Sequence, residues 1–429
     1  MTRRAVITGW GRCVPPVALT NADLERLCDT SDEWIVARTG ISERRISHVE
    51  GTDLAELAAR RALACAGLGA ADLDLILVAT CTPELLCPSV AAMVQHRLGA
   101  VNAAAFDLNA ACSGFVYATA NVTGMVQSGF VERVLVIGVE KLHVAMDYRD
   151  RSTCILFGDG AGAVVYEATD SGAGVLSVDL GADGSKGGTM VLQALGTRGD
   201  PYGGRTPEET RLHFEGQAVF KIAVQRIAGS ATRALERAGL GADDVDIVIP
   251  HQANGRIIES AARRLGVDSE RVFVNIGQLG NTAAASIPTA ISDAVDSGRV
   301  NPDDVVVLTA FGGGVTWGRS SCSEATGPSP SEPTRESCRR PTPRSSTCWS
   351  RTWTSTPRST PTNHRPPDRK SLQSTVITRL PVWRLATNAS CAAWMSVRGK
   401  VPATTGRTSP RSMYPTSAVN TSGPYTVQP

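Results

Sequence analysis

The sequence predicts an α/β fold built from two related halves, and three observations lead there. Arg61–Val78 (RALACAGLGAADLDLILV) and Arg233–Pro250 (RALERAGLGADDVDIVIP) align without a gap and are identical at ten of eighteen positions. Apolar runs of strand length alternate with longer runs of helical period through the first 319 residues. A repeat of such long period, occurring twice, points to a duplicated half-domain rather than a solenoid. The third observation is a break in composition. Up to Arg319 the chain is rich in Ala, Val, Leu, Ile and Gly, whereas from Ser320 it is dominated by Ser, Thr, Pro and Arg.

The elements follow in order. Strands are expected at Ala5–Thr8, Leu75–Ala79, Ala104–Leu108, Val134–Gly138, Ala163–Tyr166, Ile247–Ile249, Val272–Val274 and Val305–Thr309. Helices are expected at Leu54–Ala66, Ser89–Leu98, Ser113–Ser128, Phe220–Ala238, Gly255–Leu265 and Ser286–Ser297. Each copy of the repeat reads as the end of a helix, a glycine turn and a buried strand. Alternation of this kind implies largely parallel sheets covered by helices. Two related halves place a site between them, where strand ends meet helix starts.

Charge divides the chain in the same place. The segment 320–429 holds 15 Lys and Arg against 4 Asp and Glu, a net of +11; the whole chain is +2, so residues 1–319 carry −9. A basic tail can contact nucleic acid or an acidic membrane, but this composition reads more simply as a disordered extension with no domain or function of its own. Seven of eleven cysteines lie in the body, at 13, 28, 65, 81, 87, 112 and 154, and none has zinc-ligand spacing. No metal is therefore expected. The N-terminus lacks the charged and apolar regions of a signal peptide, and no apolar run reaches the roughly 18 residues of a membrane span. A cytoplasmic protein with reduced thiols is expected, with neither nucleic acid nor membrane as a partner.

Three peptides carry chemistry. Cys112, in Ala-Ala-Cys-Ser-Gly-Phe, follows a strand and opens a helix. The helix dipole and nearby N–H groups are expected to lower its pKa and favour thiolate. His251 and Asn254 lie in Pro-His-Gln-Ala-Asn, directly after the repeated strand. Asn281 sits in a turn, Gly-Asn-Thr, before a helix. Taken one at a time, these fit a buried structural thiol, a capping histidine and a turn asparagine. Together, a thiol, an imidazole and a carboxamide are the groups needed to hold an acyl chain and condense it with a carbanion. Phe311–Gly318 (FGGGVTWG) adds a glycine run whose N–H groups can form an oxyanion hole. Phe157–Gly162 and Gly9–Gly11 lack the strand–GxGxxG–helix setting of a dinucleotide site.

With TSDEWIVARTGI (Thr30–Ile41), DRSTCILFGDGAGA (Asp150–Ala163) and VFK (Val219–Lys221), these motifs span residues 1–318. In that order they resemble β-ketoacyl-acyl-carrier-protein synthase III, a condensing enzyme of the thiolase superfamily. The resemblance implies a thiolase-like duplicated αβαβα five-layer fold. Its halves would be residues 1–170, carrying the cysteine, and 171–319, carrying the histidine and asparagine, with 320–429 a disordered tail. A thiolase would carry a second catalytic cysteine in the glycine loop, and the elongating synthases a second histidine where Asn281 stands.

The resemblance makes Cys112 the nucleophile that takes a primer acyl group from acyl-CoA. It makes His251 and Asn281 the donors that stabilise the enolate left when malonyl-carrier-protein loses CO2, with the N–H groups of Cys112 and Gly313 as oxyanion hole. Trp34, Arg38, Arg151, Asn254 and Phe220 would bind coenzyme A and its pantetheine arm. Cys87 and Phe157 would shape the acyl pocket. Lys221, Arg256, Arg263 and Arg264 would dock an acidic acyl carrier protein, although a solvated helix face accounts for the last two nearly as well. No cofactor is implied, since acyl-CoA and malonyl-carrier-protein are substrates, and a homodimer is. An acyltransferase that primes a specialised polyketide pathway without condensing, and an inactive carrier-protein-binding homologue, are the alternatives.

Two departures bear on this reading. A large residue of the partner subunit can close the acyl pocket at the position of Cys87; a small thiol there implies room for primers longer or more branched than acetyl. After Gly318 the family closes with an apolar strand, whereas this chain continues Arg-Ser-Ser-Cys-Ser-Glu. One GC-rich encoding of that stretch, read in another frame, gives Ala-Leu-Val-Leu-Leu-Arg. A frameshift near Gly318 and a damaged last strand are therefore expected.

Overall fold

The computed structural model describes residues 3–192, 211–317 and 375–379. All of them fall within one compact unit, Met1–Arg384. In chain order its principal elements are β1 (Arg4–Cys13), α1 (Asp32–Thr39), α2 (Gly51–Ala66), β2 (Leu75–Ala79), α3 (Val90–Leu98), β3 (Ala104–Leu108), α4 (Gly114–Gln127), β4 (Arg133–Glu140) and β5 (Gly160–Thr169). There follow β6 (Gly174–Asp179), α5 (Gly216–Ala238), β7 (Ile247–Pro250), α6 (Gly255–Leu265), α7 (Ser286–Asp296), β8 (Val305–Thr309) and β9 (Thr375–Arg379).

These strands form two sheets, ordered β1-β5-β4-β2-β3 and β7-β8-β9-β6. The first takes its strands from within residues 1–170, the second from 174 onward. Helices α4 and α7 fill the space between them. Phe115, Val116 and Val122 of α4 and Ile287 and Ile291 of α7 share one core with Leu77, Val136 and Val164 of the first sheet and Ile249 and Leu308 of the second. On the outer face of the first sheet, Ala58 and Ala62 of α2 and Val94 of α3 pack on Ile76 and Leu135. On the outer face of the second, Leu235 of α5 and Ile258 of α6 pack on Val248 and Val307. The order helix, sheet, helix, sheet, helix is the duplicated five-layer αβαβα fold.

The repeat is visible in detail. Helix α2 ends at Gly67 and α5 at Gly239, both left-handed, with φ of 70° and 72°. In each copy a carboxylate then closes a short 3₁₀ turn on a glycine N–H: Gly69 to Asp72 and Gly241 to Asp244, both at 2.8 Å. Strands β2 and β7 follow directly.

The structure corrects three expectations. The sheets are mixed rather than largely parallel. Strands β2–β3, β2–β4 and β7–β8 run parallel, but β5 is antiparallel to both β4 and β1, and β9 to both β8 and β6. The reason is local, because the link from β4 to β5 carries only a short 3₁₀ turn, Leu142–Ala145, and no helix long enough for a parallel crossover. Val272–Val274 is not a strand; Val272 makes a single bridge to Val248.

The third correction concerns the C-terminal segment. Residues 375–379, placed by sequence in a disordered tail, form β9 between β8 and β6. The reading of Thr-Val-Ile-Thr as structureless followed the composition around it, yet its β-branched residues suit a central strand. The second sheet therefore has a strand where a damaged one was expected. The remaining residues of the 320–429 segment lie outside the described residues.

Candidate active site

Cys112 sits in a 3₁₀ turn, Ala111–Ser113, between β3 and α4. Ala111 is held at φ 48°, an uncommon left-handed conformation for a residue with a side chain. Its N–H donates to Asn109 Oδ1 at 3.0 Å, which closes the turn from below. Ser113 Oγ donates to Ala110 O at 2.8 Å and meets Thr316 Oγ1 at 2.8 Å; Thr316 Oγ1 also donates to Ala110 O, at 2.9 Å. The glycine loop is thereby stitched to the nucleophile turn. Its closeness explains Gly312, since a Cβ there would lie 2.8 to 2.9 Å from Ser113 N, Ala110 O and Cys112 N. Gly312→Ala is expected to force these backbones apart, at a cost of about 1–3 kcal/mol. A lower thermal midpoint with weaker alkylation of Cys112 checks this.

The asparagine turn repeats the cysteine turn. Asn109-Ala-Ala-Cys-Ser-Gly and Asn281-Thr-Ala-Ala-Ala-Ser are offset by 172 residues, the offset that relates Arg61 to Arg233. Ala283 has φ 41°, matching Ala111, and its N–H donates to Asn281 Oδ1 at 2.9 Å, matching the bond to Asn109. Asn281 is anchored further by its N–H to Leu156 O at 2.8 Å and by its carbonyl, which accepts from Gly158 N at 3.0 Å. With Oδ1 engaged, the amide –NH2 is the end left for the cavity. The turn lies tightly on β4, where a Cβ at Gly138 would lie 2.3 Å from Ala284 O.

His251 leaves the carboxyl end of β7, and its N–H donates to Thr309 O at 2.8 Å. The residue is 1 % exposed. Nδ1 meets Ser286 Oγ at 2.6 Å, and Gln252 N–H donates to the same oxygen at 3.4 Å. A serine oxygen that already accepts from Gln252 can give its own proton to Nδ1. In that arrangement the ring hydrogen sits on Nε2, which has no hydrogen-bond partner among the described residues. Burial pushes the imidazole pKa down to about 3, so it is neutral throughout the physiological range.

Cys112, His251 and Asn281 line one cavity of about 170 Å³, with Arg38, Phe220 and Asn254 farther along its wall. Two guanidinium groups lie over the ring of Trp34, Arg38 at 4.2 Å and Arg151 at 4.9 Å from its centre. Asn254 caps α6 by accepting from Arg256 N at 2.9 Å and donates to Arg38 O at 3.0 Å, so it joins that helix to α1. A second cavity, of about 190 Å³, opens on Cys112 and Gly313 and is walled by Cys81, Leu142, Phe157, Met190 and Leu212. Cys87 is exposed and lines neither cavity of its own chain. Lys221 on α5 and Arg256, Arg263 and Arg264 on α6 are exposed, and Arg263 pairs with Glu259 at 2.9 Å.

The expected low pKa of Cys112 is corrected. Burial first, and the Glu140 carboxylate second, push the thiol up to about 12, against the N–H groups of Cys112 and Gly313, which favour the thiolate. A helix start accounts for neither of these opposing causes. Ser286, Glu140 and Cys81 also belong to the surroundings of the site, and sequence spacing does not connect them to it. Ser286 alone had a signal, since it closes the Asn281 peptide. Among the described residues no cluster of His, Cys, Asp or Glu could hold a metal, and no helix is long and apolar enough to cross a membrane.

Comparison with known proteins agrees with this geometry. Family models described as 3-oxoacyl-[acyl-carrier-protein (ACP)] synthase III and its C-terminal region match residues 106–184 and 235–322. A β-ketoacyl-[acyl-carrier-protein] synthase III of Roseiflexus castenholzii is 51% identical over 323 residues, 74% of this chain and 97% of the relative. The chain belongs to the β-ketoacyl-acyl-carrier-protein synthase III family. A synthase III from Geobacillus kaustophilus is 48% identical over 316 residues, covering 73% of this chain and 97% of its own. The crystal structure of the Aquifex aeolicus synthase III superposes with a TM-score of 0.69 at 44% identity, over 73% of this chain and 98% of that one. The priming β-ketosynthase of the R1128 polyketide pathway gives 0.69 at 36%, over 73% and 94%. Synthase III enzymes are acyltransferases that condense, and the thiolase-like fold is theirs.

Proposed function

We propose that this synthase III joins an acyl-CoA primer to malonyl-acyl-carrier-protein through an acyl-Cys112 intermediate. Cys112 Sγ attacks the primer thioester and coenzyme A leaves as its thiol, taking the proton that Cys112 loses. The malonyl thioester then enters the same cavity. Its C–CO2 bond breaks, CO2 departs, and the electron pair becomes an enolate whose oxygen accepts from His251 Nε2–H and the Asn281 –NH2. The enolate carbon attacks the acyl-Cys112 carbonyl. The tetrahedral oxyanion is held by the N–H groups of Cys112 and Gly313; its collapse breaks the C–Sγ bond, releases the 3-oxoacyl product and expels Cys112 as a thiolate, which takes a proton from solvent. The observation that carries this reading is the buried His251 Nε2, without a hydrogen-bond partner among the described residues, in a cavity shared with Cys112 and Asn281.

Outward from that cavity, Trp34, Arg38 and Arg151 hold the nucleotide end of coenzyme A, and Phe220 and Asn254 line the pantetheine path. Lys221, Arg256, Arg263 and Arg264 offer positive charge on a −9 body, which favours an acidic carrier protein. The exposed edge of β3, with Phe106 37% and nearby Leu86 73% exposed, favours a homodimer in which Cys87 faces the partner's acyl cavity.

Intact-mass labelling with a panel of acyl-CoAs tests the first step. The wild type is expected to gain one acyl group per chain, and Cys112→Ala none. Labelling without CO2 release on adding malonyl-carrier-protein would point instead to a transferase that does not condense. Turnover with acetyl-CoA alone would remove the case for a roomier acyl pocket.

A further inference from the structure

Two thiols outside the reacting trio touch one another. Cys28 Sγ and Cys154 Sγ lie 3.8 Å apart, although 126 residues separate them, and no disulfide joins them. Cys28 is half-buried and Cys154 buried. Each is held at the end of a short hydrogen-bonded turn. Cys28 N–H donates to Leu24 O at 3.0 Å, and Cys154 N–H to Asp150 O at 3.1 Å. Both sulfurs belong to the apolar cluster that also takes in Trp34, Ile35 and Cys112. They need to close by only about 1.8 Å to reach the roughly 2 Å of a disulfide bond.

The pair sits where the proposed coenzyme A clamp is assembled. Cys28 is followed by Asp29, whose carbonyl accepts from Arg151 Nη1 at 2.7 Å and whose carboxylate lies 3.3 Å from the same nitrogen. Arg151 stands three residues before Cys154, and its guanidinium is 4.9 Å from the ring centre of Trp34. Trp34 and Arg38 belong to α1, which begins at Asp32. The two thiols therefore meet between the segments that carry the clamp.

Arg44 bears on which thiol reacts first. It is 0% exposed, and its guanidinium donates to Leu19 O at 3.1 Å, Asn21 Oδ1 at 2.9 Å and Ile155 O at 2.7 Å, all neutral acceptors. Burial and the neighbouring Cys28 push the Cys154 thiol up to about 12, against the pull of this guanidinium. The more exposed Cys28 is thus the thiol that meets an oxidant first.

We propose that Cys28 and Cys154 are a redox-sensitive pair that a peroxide closes into a disulfide, weakening the hold on coenzyme A. Cys28 Sγ attacks one oxygen of hydrogen peroxide and the O–O bond breaks. Water leaves with the Cys28 proton, and Cys28 becomes a sulfenic acid. Cys154 Sγ then attacks the Cys28 sulfur, the S–O bond breaks, and a second water leaves with the Cys154 proton. The two sulfurs together give up two electrons to the peroxide. A dithiol reductant reverses the change. Drawing the sulfurs together shifts residues 28–34 against 151–154 and pulls Arg151 out of register with Asp29 and Trp34. The effect on coenzyme A rests on the proposed function; the disulfide itself does not.

The test treats the wild type with hydrogen peroxide, alkylates the remaining thiols and maps the peptides by mass spectrometry. A peptide joining Cys28 to Cys154 is expected, lost on adding dithiothreitol and absent from Cys28→Ser and Cys154→Ser. Thiols that stay open to alkylation, oxidise singly or pair elsewhere in the wild type would overturn the proposal, however the variants fold. Acyl-CoA binding is then followed by calorimetry in Cys112→Ala, where the nucleophile cannot be oxidised. Its affinity is expected to fall about fivefold on oxidation, the worth of one cation–π contact. The same treatment should leave the affinity of the double variant Cys28→Ser, Cys112→Ala unchanged. A disulfide that forms without any change in affinity would overturn the regulatory role. A reduced protein that binds no acyl-CoA would instead sink the proposed function and leave the mapped disulfide standing.

Discussion

Deleting Thr375–Arg379 is expected to leave the chain unable to hold its second sheet, with no soluble folded protein recovered. Strand β9 pairs along its length with β8 on one side and β6 on the other. Without it, the inward edges of both neighbours lose their partners in the interior. Each buried, unsatisfied backbone group costs about 1–3 kcal/mol. Several such losses exceed the roughly 5–15 kcal/mol that holds a typical domain folded. A single substitution gives a graded version. Ile377 lies opposite Val307 and Ser177, and Ile377→Pro removes an N–H from a central strand, at about 3 kcal/mol or more. Its thermal midpoint is expected to fall by several degrees. Truncation after Arg384 keeps the whole compact unit and is expected to melt as the full chain does. Equal stability of the Thr375–Arg379 deletion and the full chain would show that β9 contributes nothing.

What sequence could and could not reveal follows from range. Cys112 and His251 each sit in a contiguous peptide where a strand ends and a helix begins, and Asn281 in a turn before a helix, so their setting is written locally. The duplicated fold was equally open to reading, because RALACAGLG and RALERAGLG keep the glycine cap and turn in both copies. Helix α1 went unassigned within the TSDEWIVARTGI motif; its signals are the Ser31 cap, whose Oγ accepts from Trp34 N at 3.2 Å, and the left-handed Gly40. Contacts that join distant segments were closed to the sequence. Ser286 meets His251 across 35 residues and Glu140 meets Thr82 across 58. The thiol pKa was misjudged for that reason: the helix start is a local feature, whereas burial and the Glu140 charge belong to the folded chain. Strand β9 was hidden differently, as five suitable residues inside a segment whose composition argued against any strand.

His251→Ala and Asn281→Ala should each slow condensation by a factor of about 10²–10³, the effect of one oxyanion donor worth about 3–4 kcal/mol. Acylation of Cys112 by acyl-CoA should change by less than tenfold in both, since neither donor is assigned to that step. CO2 release and intact-mass labelling, followed in the same sample, separate the two steps. Equal loss of both would mean that the pair supports the nucleophile rather than the enolate. Because both residues are proposed to hydrogen-bond one oxygen, the double variant should fall short of the product of the single effects. Asn281→Asp should be at least as damaging as Asn281→Ala, since a carboxylate accepts where the enolate needs a donor. pH supplies an independent check. The fold holds His251 neutral down to about 3, whereas an unfolded histidine takes a proton near 6.5. Its contribution to stability is therefore complete above pH 6.5 and is lost progressively as pH falls toward 3. His251→Gln should flatten that part of the acid-unfolding curve. In the wild type, CO2 release should show no inflection near pH 6.5 that His251→Gln abolishes, because His251, the proposed donor to the enolate, is neutral on both sides of that pH.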